Sequence, residues 1–351
     1  MLDKVAVIGA GSWGTTLAAI AARSAPTTLW ARRPPLAEAL GRDHENADYL
    51  PGVALPPALL ATASLEEAVA HSALVVMAVP SHGFRAVLAE LVPFLGASTP
   101  VLSLAKGLEQ GTHLRMSEVI AEVAPGRPRG VLTGPNLARE IVVGQPAATV
   151  VAMTDGAVAA SVQELLRTET FRVYTNPDVV GCEMAGATKN VLAIAAGILQ
   201  GLGLGDSSLA AMITRGLAEL GRLGVALGAE PITIAGLAGV GDLIATCTST
   251  LSRNRMVGEQ LGQGRPLAQI LADMRMVAEG VKTARPLLEL AAAHGVEMPI
   301  GEQVAAVLEG RTSPAEAIPA LMLRSAKAEF EGLGSGPGPG RVPGGDSPGD
   351  R

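Results

Sequence analysis

The fold is decided by KVAVIGAGSWG, residues 4–14. Four apolar residues, Val5 to Ile8, run into Gly9-Ala10-Gly11-Ser12-Trp13-Gly14, and an uncharged helical pattern follows from Thr15. Three glycines at G-x-G-x-x-G spacing say little alone. With 42 glycines in 351 residues, chance supplies roughly 0.6 such matches in a chain of this composition. Position makes the difference, because the motif follows a strand pattern and opens a helix pattern. In a dinucleotide-binding loop the first glycine makes the tight turn. The second lets backbone approach a pyrophosphate, and the third lets helix pack on strand. The helix N-terminus adds free N–H groups and the positive end of its dipole. Gly9, Gly11 and Gly14 are therefore candidate cofactor contacts.

Outward from this loop, short apolar runs at residues 27–31 (TTLWA), 74–79 (LVVMAV), 101–104 (VLSL) and 131–133 (VLT) read as buried strands. Helix-like stretches at 15–23, 84–95 and 114–124 lie between them. Continuous apolar strands alternating with helices predict a doubly wound, Rossmann-like α/β domain, its parallel sheet covered on both faces. Runs at 147–153 and 171–174 extend the sheet. From Pro177 onward no strand pattern recurs, and helical periods run through 179–199, 209–227, 256–261, 283–294 and 301–308. We therefore expect a nucleotide-binding domain over residues 1–177 and an all-α domain over 178–331. Residues 332–351 contain eight Gly and four Pro, so they cannot build a core and read as a disordered tail.

Composition excludes several function classes. Hydrophobic residues make up 48% and charged residues 17%, a globular balance, and the net charge of −6 argues against a nucleic-acid or anionic-membrane surface. Two cysteines, Cys182 and Cys247, and five scattered histidines carry neither a disulfide framework nor a metal-ligand spacing, so no metal is expected. Residues 5–22 are uncharged and imitate a signal peptide, but Asp3 and the three glycines break the imitation. No other stretch reads as a membrane span. The expectation is a cytoplasmic, thiol-reduced protein without membrane insertion.

The second strand ends Trp30-Ala31-Arg32-Arg33, with no acid to hold a ribose 2′-OH. Two guanidiniums there suit a 2′-phosphate, which favours NADP with NAD tolerated; a solvated basic turn before Pro34-Pro35 is the plainer alternative. Other strand ends carry Pro80-Ser81-His82, Ala105-Lys106-Gly107 and Gly134-Pro135-Asn136, where ligands of open α/β sheets bind. The chain has five lysines among its 27 basic residues, so Lys106 at a strand end is unlike its generic surface charge. Lys189 lies in an otherwise uncharged helical stretch. Burial there would lower its pKa and make it a general base, unless its stem snorkels to the surface. Asp242 reads either as a helix N-cap or as a carboxylate placed near a catalytic lysine. Ser252-Arg253-Asn254-Arg255 opens a helix with a hydroxyl and two guanidiniums, a ready phosphate site.

Together these stretches resemble the bacterial-type NAD(P)-dependent glycerol-3-phosphate dehydrogenases. The resemblance is carried by GAGSWGTTLA (from Gly9), SLAKGLE (Ser103), TGPN (Thr133), FRVYTNPD (Phe171), GATKNVLAIAAGI (Gly186), ITRGLAEL (Ile213), GLAGVGDLIATCTSTLSRNR (Gly236) and VAEGVKT (Val277). It implies hydride transfer between C2 of sn-glycerol 3-phosphate and a nicotinamide, in the service of phospholipid synthesis. It further implies that Lys189 is the proton acceptor and that Lys106 touches substrate and cofactor. Gly134, Asn136, Asp242, Ser252, Arg253 and Asn254 match substrate positions. Ser12, Trp13, Arg32, Arg33, Tyr49, Ala138, Arg253, Val277 and Glu279 match cofactor positions. Where Asn136 stands, the family often has Ser or Thr. The expected partner is the small-molecule substrate, and a homodimer stays open. Two other readings compete. A sister reductase for a ketopantoate-like acid should lack the GDL…SRNR phosphate site. A non-catalytic NADP-sensing regulator would need neither lysine.

Overall fold

The computed structural model describes residues 2–274 and 277–325. The expected tail at 332–351 lies outside them. Ten strands are present: β1 Val5–Ile8, β2 Thr27–Trp30, β3 Glu45–Asn46, β4 Leu50–Ala54, β5 Leu59–Thr62, β6 Leu74–Met77, β7 Val101–Ser103, β8 Arg129–Thr133, β9 Ala147–Met153 and β10 Phe171–Asn176. Eight form one sheet in the order β10-β9-β8-β7-β6-β1-β2-β5, while β3 and β4 make a separate hairpin. Alternate residues of each strand face opposite ways. Val5 and Val7 join one apolar cluster, Ala6 and Ile8 another, so both faces are covered, as the uninterrupted apolar runs predict.

The structure corrects the sequence reading in several places. The sheet is not wholly parallel, because β9 runs antiparallel to β8. The chain between them, residues 134–146, holds only the five-residue helix Ala138–Val142, and it reverses direction instead of crossing over. The next connection carries the eleven-residue helix Gly156–Leu166, long enough to return β10 parallel to β9. The edge strand β5 and the β3–β4 hairpin were not anticipated. The first helix starts at Ser12, directly on the glycine loop, not at Thr15.

Among the described residues no strand follows Asn176. Helix Val179–Gly201 is the axis of this part and is buried over nearly its whole length. It and the stretch Pro231–Thr248 are long and apolar enough to cross a bilayer, contrary to the reading of the sequence. The first is a core helix, and the second is a run of helical turns carrying Asp242. Helix Arg253–Gly262 crosses the axial helix with backbones almost touching. A Cβ on Gly197 would fall 1.9 Å from the Arg255 carbonyl oxygen, and one on Gly258 2.0 Å from that of Ile194. Only glycine permits this approach, which sets the Ser252 end of one helix beside Lys189 on the other.

Candidate active site

The carboxyl ends of β1, β2, β6, β7 and β8 open into a cleft of about 590 Å³ whose far wall is helical. Of the substrate and cofactor positions that the resemblance implies, Gly134, Ala138 and Asp242 do not line it and the others do; Arg255, Ser81 and Gly107, also noted in the sequence, do not. The Ala138 carbonyl is instead occupied by the Thr16 hydroxyl, at 3.3 Å.

At one end lies the glycine loop. Gly9 has φ +122°, and a Cβ there would meet the Ala78 carbonyl oxygen at 2.6 Å; one on Gly14 would lie 2.0 Å from Gly9 O. Gly11 faces open space, so a ligand can approach the backbone at that point. No side chain caps the helix that begins at Ser12, and an uncapped helix N-terminus is a place that favours an anion. The β3–β4 hairpin braces the loop from outside. Buried Asn46 donates through Nδ2 to Ala10 O (3.0 Å) and Thr15 Oγ1 (2.8 Å), and Ser12 Oγ donates to Tyr49 O (2.9 Å). The same hairpin brings Asp48 onto the Arg33 guanidinium in an exposed ion pair. The end of the second strand thus does have an acid nearby, supplied from fifteen residues downstream, and the two arginines are not equivalent.

Two residues that line the cleft carry a buried polar atom without a well-formed hydrogen bond among the described residues: Trp13 Nε1 and Glu279 Oε2, whose carboxyl lies by the Lys106 backbone. The other Glu279 oxygen accepts from Ser81 N at 3.3 Å. Burial pushes the Glu279 carboxyl above the usual carboxylate range, with Ser81 and Arg253 opposing. An open glycine, an uncapped helix and these two polar atoms along one cleft fit a dinucleotide laid across the strand ends.

At the other end Asp242 joins two lysines. Its Oδ1 accepts from Lys189 Nζ at 2.5 Å, and its Oδ2 accepts from Lys106 Nζ at 2.6 Å. Lys106 also donates to Gly134 O (2.9 Å), and Lys189 to Thr246 Oγ1 (2.6 Å). Asp242 is 1% exposed and Lys189 6%. Asp242 is not the cap of its helix, a place taken by Gly241; its carboxylate is spent on the lysines. Nor does Lys189 snorkel. Burial is the main cause that pulls its pKa down to about 8; the Asp242 charge opposes this and the Lys106 charge adds to it. An amine titrating near neutrality can give and take a proton at working pH.

The Ser252 cluster lies on the same wall. Ser252 caps helix Arg253–Gly262, its Oγ accepting from Arg255 N at 3.3 Å, and its hydroxyl proton is still available to a ligand. Arg253 donates through one nitrogen to Val277 O at 2.9 Å. Arg255 is buried against Glu259 instead, so only one of the two expected guanidiniums lines the cleft. Asn254 Oδ1 accepts from Gly280 N (2.9 Å), while its Nδ2 donates to Asn190 Oδ1 (2.8 Å). Asn136 Oδ1 accepts from Thr149 Oγ1 at 2.9 Å, tying this residue to β9.

Sequence reasoning missed Thr246, Asn190 and Asn46. Thr246 was findable, since it follows Asp242 by four residues and so shares its helix face. Asn190, next to Lys189, donates to Lys106 O at 2.8 Å. Asn46 had no local signal, because its partners lie on the glycine loop over thirty residues away.

Comparison with known proteins agrees with this geometry. Family models of the N-terminus and C-terminus of NAD-dependent glycerol-3-phosphate dehydrogenase match residues 4–159 and 178–319. A glycerol-3-phosphate dehydrogenase [NAD(P)+] of Sphingopyxis alaskensis is 54% identical over 92% of this chain and 97% of its own length. One from Thermobifida fusca is 53% identical over 95% and 100%. The crystal structure of glycerol-3-phosphate dehydrogenase from Coxiella burnetii superposes with a TM-score of 0.89 at 36% identity, covering 92% of this chain and 99% of that one. A ketopantoate reductase from Ralstonia eutropha shares the fold at a TM-score of 0.58 and 16% identity. The chain belongs to the NAD(P)-dependent glycerol-3-phosphate dehydrogenase family.

Proposed function

We propose that the protein interconverts sn-glycerol 3-phosphate and dihydroxyacetone phosphate, with NADP(H) or NAD(H) as hydride carrier. One observation carries the reading: a single buried carboxylate, Asp242, holds Lys106 and Lys189 at the end of the nucleotide cleft, on the wall that carries Ser252 and Arg253. In the oxidation direction Lys189 Nζ takes the proton of the C2 hydroxyl. In the reduction direction it returns that proton to the carbonyl oxygen. Lys106 supplies a fixed positive charge to the same oxygen, where negative charge develops. Asp242 keeps both ammonium groups in place and balances one of their charges. The nicotinamide, when bound, supplies or accepts the hydride at C2. Ser252, Arg253 and the remaining Nδ2 hydrogen of Asn254 grip the phosphate, and that binding energy orients the reacting carbon. Ser12, Trp13, Arg32, Arg33, Tyr49, Val277 and Glu279 line the cleft where the cofactor would lie. Gly134 and Ala138 act only through their backbone.

Residues 1–177 form the cofactor domain and 178–331 the substrate domain. The protein works in the cytoplasm, supplies phospholipid synthesis, and assembles as a homodimer. The test of the activity is NADPH consumption by purified protein with three acceptors: dihydroxyacetone phosphate, dihydroxyacetone and ketopantoate. Rapid turnover of the first alone is expected. Equal use of the first two would remove the phosphate site from the account, and turnover of ketopantoate would move the protein to the reductases.

A further inference from the structure

The two ends of the arginine pair carry different charge. Arg32 lines the cleft beside His82, whose imidazole is held below the usual histidine range by burial and by the charges of Lys282 and Arg32. That side is cationic. Arg33 also lines the cleft, but Asp48 neutralises it, and hydrogen bonding to Asp48 is the main cause that raises the Arg33 pKa. The backbone that carries Asp48 is anchored through its neighbours. Asp48 belongs to the turn between β3 and β4, and Asn46, two positions before it, and Tyr49, directly after it, are fastened to the glycine loop. A carboxylate is therefore held beside the one arginine whose charge it cancels, at the strand end where the adenosine ribose of a dinucleotide lies.

We propose that Asp48 is a specificity-determining residue for the cofactor: it occupies Arg33 and so holds down the preference for a 2′-phosphate that the two arginines would otherwise impose. The proposal rests on the reading that Arg32 and Arg33 meet the 2′ position. Binding NADPH then requires the Arg33 guanidinium to be shared between the phosphate and Asp48, and places two negative groups near one another. NADH meets neither demand. The pair is about half exposed, so the effect is screened and modest.

The experiment is a titration of NADPH and NADH, by protein fluorescence at one fixed salt concentration, into wild type, D48N, R33A, R32A and the double variant R33A/D48N. D48N should bind NADPH about two- to fivefold more tightly, a scale set by exposed ion pairs, with NADH shifted less than twofold. The gain should vanish in R33A/D48N compared with R33A. If R32A and R33A weaken NADPH selectively but D48N does not tighten it, or if the gain survives without Arg33, Asp48 has no such role. If the arginine variants weaken both cofactors alike, the reading of the 2′ position itself is wrong.

Discussion

Replacing Asp242 by Asn tests the lysine pair most severely. The substitution keeps the shape, removes the carboxylate that accepts from both ammonium groups, and turns an amide donor toward one of them. The lost contacts are short, 2.5 and 2.6 Å, and buried on both sides. Breaking a buried ion pair from one side costs about 3–5 kcal/mol. Shared between the two lysines, roughly half falls on Lys189, or about one to two pKa units at 1.36 kcal/mol per unit. Lys189 should then titrate between about 6 and 7, down from about 8. The assay is kcat/KM for oxidation of glycerol 3-phosphate between pH 5 and 10. The rising limb should move to lower pH while the plateau falls a hundredfold or more, because neither lysine is held. Stability should respond too. Lys189 binds its proton less tightly folded than unfolded, so stability rises with pH between the folded pKa and about 10.5. That window widens downward in the variant, and its melting temperature should climb more steeply from pH 6 to 9 than the wild type's. A limb that stays at about 8 with turnover within threefold of wild type would refute the reasoning.

Lys189→Met should retain NADPH binding but less than a tenth of wild-type turnover, since a positioned base contributes on the order of 10²–10⁴ in rate; stopped-flow binding beside steady-state rates checks both. Arg253→Ala should raise the KM for dihydroxyacetone phosphate by about 10- to 150-fold, the equivalent of 1.5–3 kcal/mol for a charge-assisted contact. An unchanged ratio between phosphorylated and unphosphorylated substrate would place the phosphate elsewhere. Gly258→Ala would improve helix propensity yet drive a Cβ to 2.0 Å from the Ile194 carbonyl. We expect a net loss of about 2 kcal/mol or more, read as a lower urea midpoint, and an unchanged midpoint would contradict the close crossing.

Much of this molecule was readable from its residues. The strands that build the centre of the sheet are continuous apolar runs, so Val5–Ile8 and Leu74–Met77 could be placed almost to the residue. The glycine loop, Lys189 and Ser252-Arg253-Asn254 carry their chemistry within a few neighbouring positions. What escaped has a common physical reason. The direction of β9 depends on how little helix the preceding connection holds, which no strand pattern records. β5 and the β3–β4 hairpin have mixed, half-exposed patterns that look like loop. The partner of Arg33 is a residue fifteen positions on, brought in by a turn that Asn46 pins through contacts distant in sequence. Arg255 reads as part of a phosphate cluster because helix N-termini attract such readings, yet one turn later Glu259 claims it. The glycine seam of helices Val179–Gly201 and Arg253–Gly262 was visible as Gly197, Gly201, Gly258 and Gly262, each pair four residues apart, and went unused because small residues alone do not say what they approach.

The mechanism depends on Lys189 being a base whose proton affinity is lowered by burial. Its most direct test is the pH dependence of kcat/KM for glycerol 3-phosphate oxidation by the wild-type protein under saturating NADP. The rate should rise with pH along a limb centred at about 8 and flatten above it, and the limb should be absent from the residual rate of Lys189→Met. A limb centred near 6, or one that persists unaltered when Lys189 is replaced, would assign the proton to another group and contradict the mechanism.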